Sequence, residues 1–453
     1  MTPLVDLARA MFAAAVAAVQ PGALLRRVGF LPDGVEFGGE VLSPSGRLVL
    51  VAIGKAAPGL AAAFHHRTQR VPDVTFVLAP HGAPVPAVVA PFTRHGRHPL
   101  PDSRGAEATR ELLALVGSLS PADGVVLLLS GGGSALLAEP LPGRSLEELA
   151  SLVQALLAAG ASIHELNTVR RHLLAAAGGR LAATCAAPML ALALSDVQGD
   201  NLVDVASGPA VADPTTGQDA LTVMERYDLA AVFPDIAAFL GAAARGGVAE
   251  TPKPGDPRLA LAHTLVLGGN RDALEAAAEA AAGAGFHAVQ LTRSLRGEAR
   301  EVGTALANLA RSLASGEPVA VLAGGETTVT VRGSGCGGRN LELALAAALQ
   351  LADVPERCLL AAGTDGIDGV SPAAGAVVDG GTLARGRGCG RDAIAALAAN
   401  DAWSYFAGLP DAIVTGATGT NVADLVFILA VGALATFLPA EAHLAAQLPV
   451  APR

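Results

Sequence analysis

Short apolar runs punctuate this chain and alternate with long segments rich in alanine and leucine. The runs are LVLVAIG (48–54), VTFVLA (74–79), VVLLLS (125–130), MLALALS (189–195), LVLGG (265–269), VAVLAGG (319–325), LLAAG (359–363) and AIVTG (412–416). Most are apolar at successive positions, hence on both faces, as in central parallel strands covered by helices. Between them, segments such as 146–159 and 273–284 carry Ala and Leu at helical spacing. The first twenty residues, MTPLVDLARAMFAAAVAAVQ, have no basic leader and read as an amphipathic helix rather than a signal peptide. Alternating strand, loop and helix predict an α/β architecture. No short repeat is present.

At 453 residues the chain is long enough for two domains. The stretch GGVAETPKPGDPRLA (246–260) gathers glycine, proline and charge, the composition of a linker, and places the division near 250. Hydrophobic residues reach 51% and charged residues only 16%. The excess is mostly alanine, and no run matches the ~20 apolar residues of a membrane span. Leu425 to Leu438 comes nearest; it is shorter, contains Gly432 and Thr436, and reads as a buried strand followed by a turn. The net charge of −10 argues against a nucleic-acid binder. Cys185, Cys336, Cys358 and Cys389 lie far apart with no CxxC pair, which fits a reducing, cytoplasmic setting.

Ligands of open parallel sheets sit beyond the carboxyl ends of the strands, so the loops after the runs carry the candidate chemistry. Lys55 follows Gly54 and precedes a helix start, where a cation is disfavoured by ~0.3–1 kcal/mol unless an anion binds there. Ser130-Gly131-Gly132-Gly133-Ser134 can turn backbone N–H groups inward as a phosphate cradle. Asp196, in Ser195-Asp196-Val197-Gln198-Gly199-Asp200-Asn201, is suited to hold Mg²⁺ or accept a proton. Arg339 repeats the Lys55 placement after Gly324-Gly325-Glu326-Thr327 and a run of glycines. Asp365 and Asp368 stand among glycines after LLAAG, and Thr415 to Asn421 forms a small polar loop. His65 and His66 are expected at the surface, and Trp403 and Tyr405 in packing. His98, in a proline-bounded loop, is a weaker candidate. No GxxxxGK[ST] occurs, no GxGxxG follows a strand with an acid ~20 residues later, and GxSxG and HExxH are absent.

Together these motifs resemble the class II glycerate kinase family. The resemblance runs in order through AIGKAA (52–57), HPLPD (98–102), LLLSGGGSALL (127–137), LNTVRRHL (166–173), LSDVQGDNLVDVASGPAVADPTT (194–216), AGGETTVTVRGSGCGGRNLELAL (323–345), AGTDGIDG (362–369) and TGATGTNVADL (415–425). It implies an N-terminal Rossmann-like domain (1–250), with a parallel sheet and helices on both faces. It implies a C-terminal α/β domain of the MOFRL type (258–453), with the active site in a cleft between the two. The implied reaction is phosphorylation of D-glycerate by ATP with Mg²⁺, giving 2-phosphoglycerate, with a homodimer left open. Lys55 and Arg339 match the family's active-site lysine and arginine. The expected site comprises Lys55, Arg339, Asp196 and Asp365 for catalysis, Ser130 to Ser134 and Asn201 for nucleotide, and Lys55, Arg339 and Glu326 for substrate. Asp196 is the expected metal ligand. Two competing readings are a hydroxypyruvate reductase and a non-catalytic binder of sugar acids or nucleotides.

Overall fold

Four of the apolar runs become buried strands of one sheet. In a computed structural model that describes residues 3–313 and 317–431, these are β1 (Leu48–Ile53), β2 (Val74–Pro80), β4 (Gly124–Ser130) and β5 (Met189–Leu194). The short β3 (Thr93–Gly96) and β6 (Ala262–Gly268) complete it, in the order β3-β2-β1-β4-β5-β6. From β3 to β5 every pairing is parallel. Every residue of β1, β4 and β5 is buried, because the sheet packs its apolar faces against covering helices. The helices include α2 (Ala57–Arg67) and α3 (Ser103–Gly117), whose N-cap Asp102 accepts from Gly105 N–H. The single-turn α4 (Gly133–Leu136) follows β4. Beyond it, α5 (Leu146–Ala158) and α6 (Ile163–Leu173) pack together through Leu149, Leu152, Leu156, Leu166, Val169 and Leu173.

The second sheet contains β7 (His287–Leu295), β8 (Pro318–Gly325), β9 (Arg357–Gly363), β10 (Gly375–Asp379), β11 (Ala412–Ile413) and β12 (Asp424–Val431). Their order is β7-β8-β12-β9-β10-β11. Only β7 and β8 pair in parallel; β12 runs antiparallel between β8 and β9, and β10 is antiparallel to β9. This corrects the expectation of parallel strands in this half. Burial on both faces reports helices covering the sheet, here α7 (Asn270–Gly283), α8 (Ala299–Ser312) and α9 (Arg339–Leu351), and not strand direction. β12 realises the strand expected from Leu425; the turn expected to follow it, to Leu438, lies outside the described residues. The apolar run 412–416 pairs only at Ala412–Ile413, and Val414 is exposed.

The chain divides into two units, Pro21–Leu267 and the remainder. The expected break near 250 therefore lies inside the first unit, whose sheet extends to β6. The N-terminal helix α1 (Pro3–Ala18) belongs with the second unit. Its buried stripe of Leu4, Val5, Ala8, Met11, Phe12 and Ala15 lies against α7, β9, β10 and β12. Fully burying a large apolar side chain contributes about 1.5–3 kcal/mol as an upper estimate, so this stripe holds α1 firmly. Arg9 adds a hydrogen bond to the Ala412 carbonyl at 3.0 Å. Among the described residues, no single helix is long and apolar enough to cross a membrane.

Candidate active site

In the first sheet the strand order reverses between β1 and β4. The chain moves from β1 outward to β2 and β3, then returns to place β4 and β5 on the other side. The loops leaving β1 and β4 diverge at such a point and leave a crevice at the carboxyl edge, the usual ligand position of an open α/β sheet. Those two loops carry Lys55 and Ser130 to Ser134. Lys55 N–H donates to the Gly131 carbonyl at 2.9 Å, and Ala56 N–H donates to Ser130 Oγ at 3.1 Å. Ser130 is fully buried and its hydroxyl also donates to the Ile53 carbonyl at 3.3 Å, so this serine ties the loops together. Gly132 has φ +84°, and a Cβ there would lie 3.3 Å from Lys55 Cγ and 3.1 Å from His98 Cδ2. Lys55, His98 and the glycine turn thus converge. The helix that follows, α4, is a single turn, too short to add much dipole. Asp196 is half-buried two residues past Leu194, the β5 residue that pairs with Ser130.

Behind the glycine turn runs a buried polar chain. Ser207 Oγ lies 2.8 Å from Ser134 Oγ and 3.0 Å from Asn167 Oδ1. Asn167 Nδ2 donates to the Asp204 carbonyl at 3.2 Å. The Asp204 carboxylate receives Arg171 at 3.0 Å and Asn201 Nδ2 at 2.9 Å. Arg171 is fully enclosed and also pairs with Asp213 at 3.0 Å. Ala206 (φ +51°) and Ser207 (φ +59°) occupy the left-handed region, costly for non-glycine residues. The strained pair is pinned by these bonds against Gly133, where an added Cβ would approach Ala206 Cβ to 2.6 Å. Asn201, expected at the nucleotide, is exposed and bonded to Asp204.

In the second unit, three loops meet at one edge of the sheet. Gly325 of β8 and Gly363 of β9 both register with Asp424, the first residue of β12. Arg339 opens α9 and grips Asp424 with two hydrogen bonds, Nε to Oδ2 and Nη2 to Oδ1 at 3.0 Å, while Nη1 pairs with Glu326 at 2.8 Å. Burial alone would pull the Arg339 guanidinium down, but Asp424 and Glu326 outweigh it and hold it well above the usual arginine range. A Cβ at Gly363 would lie 3.3 Å from both Asp365 Oδ1 and Asp424 Oδ1, so these carboxylates are neighbours. Asp368 is buried and accepts the Asn340 and Leu341 N–H groups at 3.1 and 2.8 Å, capping α9. Gly338 makes this possible, since a Cβ there would lie 2.4 Å from Asp368 Oδ1. Burial, opposed by those backbone bonds, pushes the Asp368 carboxyl up to about 7. The anions around the start of α9 are therefore the protein's own.

Comparison with known proteins agrees along nearly the full chain. Residues 7–241 match a domain of unknown function, DUF4147, and residues 319–424 match the MOFRL family. A D-glycerate 2-kinase from Thermotoga maritima is 39% identical over 85% of this chain and 91% of its own length. A crystal structure of a glycerate kinase from the same organism superposes with a TM-score of 0.79 at 36% identity, covering 94% of this chain and 99% of the other. The chain belongs to the class II glycerate kinase family. One member, from Agrobacterium vitis, is 40% identical over 93% of both chains and bears the provisional name hydroxypyruvate reductase.

Seen as a glycerate kinase fold, the expected residues form two groups. Lys55, Gly131 to Ser134 and Asp196 gather at the carboxyl edge of the first sheet. Arg339, Glu326 and Asp365 gather at one edge of the second, around Asp424. Sequence reasoning left out Asp424 and left His98 outside the expected site. Asp424 lies next to the end of the motif TGATGTNVADL, but only the insertion of β12 between β8 and β9 brings it to Arg339. His65, expected at the surface, is half-buried and bonds Thr75 Oγ1 at 2.9 Å.

Proposed function

We propose that this chain transfers the γ-phosphoryl group of ATP to D-glycerate, with 2-phosphoglycerate as product. The observation that carries this reading is the convergence of Lys55 and a triple-glycine turn at the strand-order reversal of a chain that aligns throughout with glycerate kinases. Backbone groups of Gly131 to Gly133 and the Ser134 hydroxyl suit the nucleotide phosphates. Lys55 neutralises charge there without a P-loop. Arg339, held in one orientation by Asp424, presents its remaining N–H donors to the glycerate carboxylate or to the moving phosphoryl group. The proton of the acceptor hydroxyl passes to Asp196 or Asp365; comparing the kcat–pH profiles of D196N and D365N decides between them.

Magnesium fits the residues present. Among the described residues no cluster of three His, Cys, Asp or Glu side chains forms a metal cage. A Mg²⁺ that arrives on nucleotide phosphates needs only one or two carboxylates, and Asp196 stands beside the glycine turn to supply one. When bound, the ion supplies charge neutralisation between phosphate oxygens.

The test is ADP release by the purified protein across a panel of small hydroxy acids. D-Glycerate should give the highest kcat/KM, and no acceptor-dependent ADP release would remove the reading. The provisional name of the Agrobacterium vitis relative favours a second reading, reduction of hydroxypyruvate. The loop after β1, Gly-Lys-Ala-Ala, lacks the dinucleotide fingerprint that such chemistry commonly uses. Loss of NADH absorbance on adding hydroxypyruvate would support it.

A further inference from the structure

Three arginines lie close together in sequence around α6, and two have partners. Arg171 is enclosed between Asp204 and Asp213. Arg180 donates to the Leu174 carbonyl at 3.4 Å and to that of Arg171. Arg170 has neither. It is 7% exposed, yet its guanidinium makes no hydrogen bond or ion pair with any described residue. Its nitrogens are not among the sealed, unbonded polar atoms, so they keep a narrow opening to solvent. The burial is enough to pull the group down to about 10 with no nearby carboxylate opposing it. It therefore stays charged at neutral pH. An uncompensated buried cation is costly, and the acids beside its neighbour Arg171, Asp204 and Asp213, are already committed to that residue.

The helix says which way Arg170 faces. Residues three apart on a helix are neighbours on its surface, and helical side chains lean toward the N-terminal turn. Arg170 thus leans back over the turn of Asn167. Asn167 reaches Ser207, and Ser207 reaches Ser134 at the end of the triple-glycine turn. We propose that Arg170 is a substrate-binding residue whose guanidinium receives an oxyanion at the Ser134 end of the glycine turn. The oxyanion is either a nucleotide phosphate or the glycerate carboxylate. The inference rests on the kinase reading and deepens it by adding a third cation to Lys55 and Arg339.

Calorimetric titration of wild type, R170M and R170K with ADP and, separately, with D-glycerate tests this. Losing charge-assisted hydrogen bonds should weaken one Kd about 10- to 100-fold in R170M. R170K, which keeps the charge without the fork, should fall between. The ligand whose affinity drops identifies the oxyanion. R170M should melt no lower than wild type, since an apolar chain of similar length relieves an unpaired buried charge. Both Kd values unchanged within twofold would overturn the role, as would an R170M protein that fails to fold, which would reveal protein partners for the guanidinium. A wild-type protein that binds neither ligand would instead remove the kinase reading, and this inference with it.

Discussion

Arg339 is the residue whose setting most changes what a substitution would report. Removing its guanidinium also leaves Asp424, nearly enclosed at the start of β12, without its counter-charge. Breaking a buried pair costs about 3–5 kcal/mol, and solvent reaches a third of Arg339, so about 1–3 kcal/mol is expected here. R339A should therefore lower the melting temperature as well as kcat, the latter by about 100- to 1,000-fold. Adding D424N should restore much of the stability and none of the activity. A double variant that regained activity would place Arg339 outside the chemistry. Asp368 offers a pH test. Its carboxyl titrates near 7 in the folded chain against an ordinary value of 3.8, so the folded state binds the extra proton between those limits. Stability from this group is full below about pH 4 and is lost as pH rises through 7, on the order of 4 kcal/mol at most. Chemical denaturation of wild type and D368N from pH 4 to 8 should show the difference between them falling across that window. A constant difference would refute the shift. Lys55 and Arg339 were legible as cations at helix starts; their surroundings were not. Lys55 faces a backbone turn whose glycines are visible in the sequence, whereas Arg339 is balanced by carboxylates from three separate loops.

At the scale of elements, apolar runs announced the buried strands and missed the others for a physical reason. β3 and β7 are edge strands with polar residues such as Arg94, His95, Gln290 and Arg293, because one side of each meets no neighbouring strand among the described residues. Strand direction was misjudged in the second sheet because helices cover its apolar faces whichever way the strands run. The glycine turn after β4 joins a close approach to a left-handed backbone. At Gly132 an added methyl would meet both the φ of +84° and His98 at 3.1 Å. G132A should cost about 1–2 kcal/mol and raise the KM for ATP while leaving the KM for glycerate within a factor of about two. Equal changes in both KM values would argue that the turn serves folding and not the nucleotide.

For the whole molecule, composition and spacing pointed to two domains, and the structure moves their boundary. Gly and Pro near 250 mark a loop within the first unit, whose sheet still has to receive β6. The first helix joins the second unit, a long-range return that no local pattern encodes. Deleting residues 1–20 should therefore expose the faces of α7, β9, β10 and β12 that α1 covers. Scanning calorimetry should show the transition of the unit from Gly268 onward lowered by about 5 °C or more, with that of Pro21–Leu267 little changed. A drop confined to the latter would contradict the assignment of α1.

The most direct test of the proposed reaction is the product itself. Wild-type protein and K55M, incubated with ATP, Mg²⁺ and D-glycerate, should be followed by phosphorus NMR. Wild type should accumulate ADP and 2-phosphoglycerate together, with K55M folded and slower by at least about 100-fold. A phosphate on the 3-hydroxyl would contradict the assigned product. ATP left intact by the wild type would contradict the kinase reading altogether.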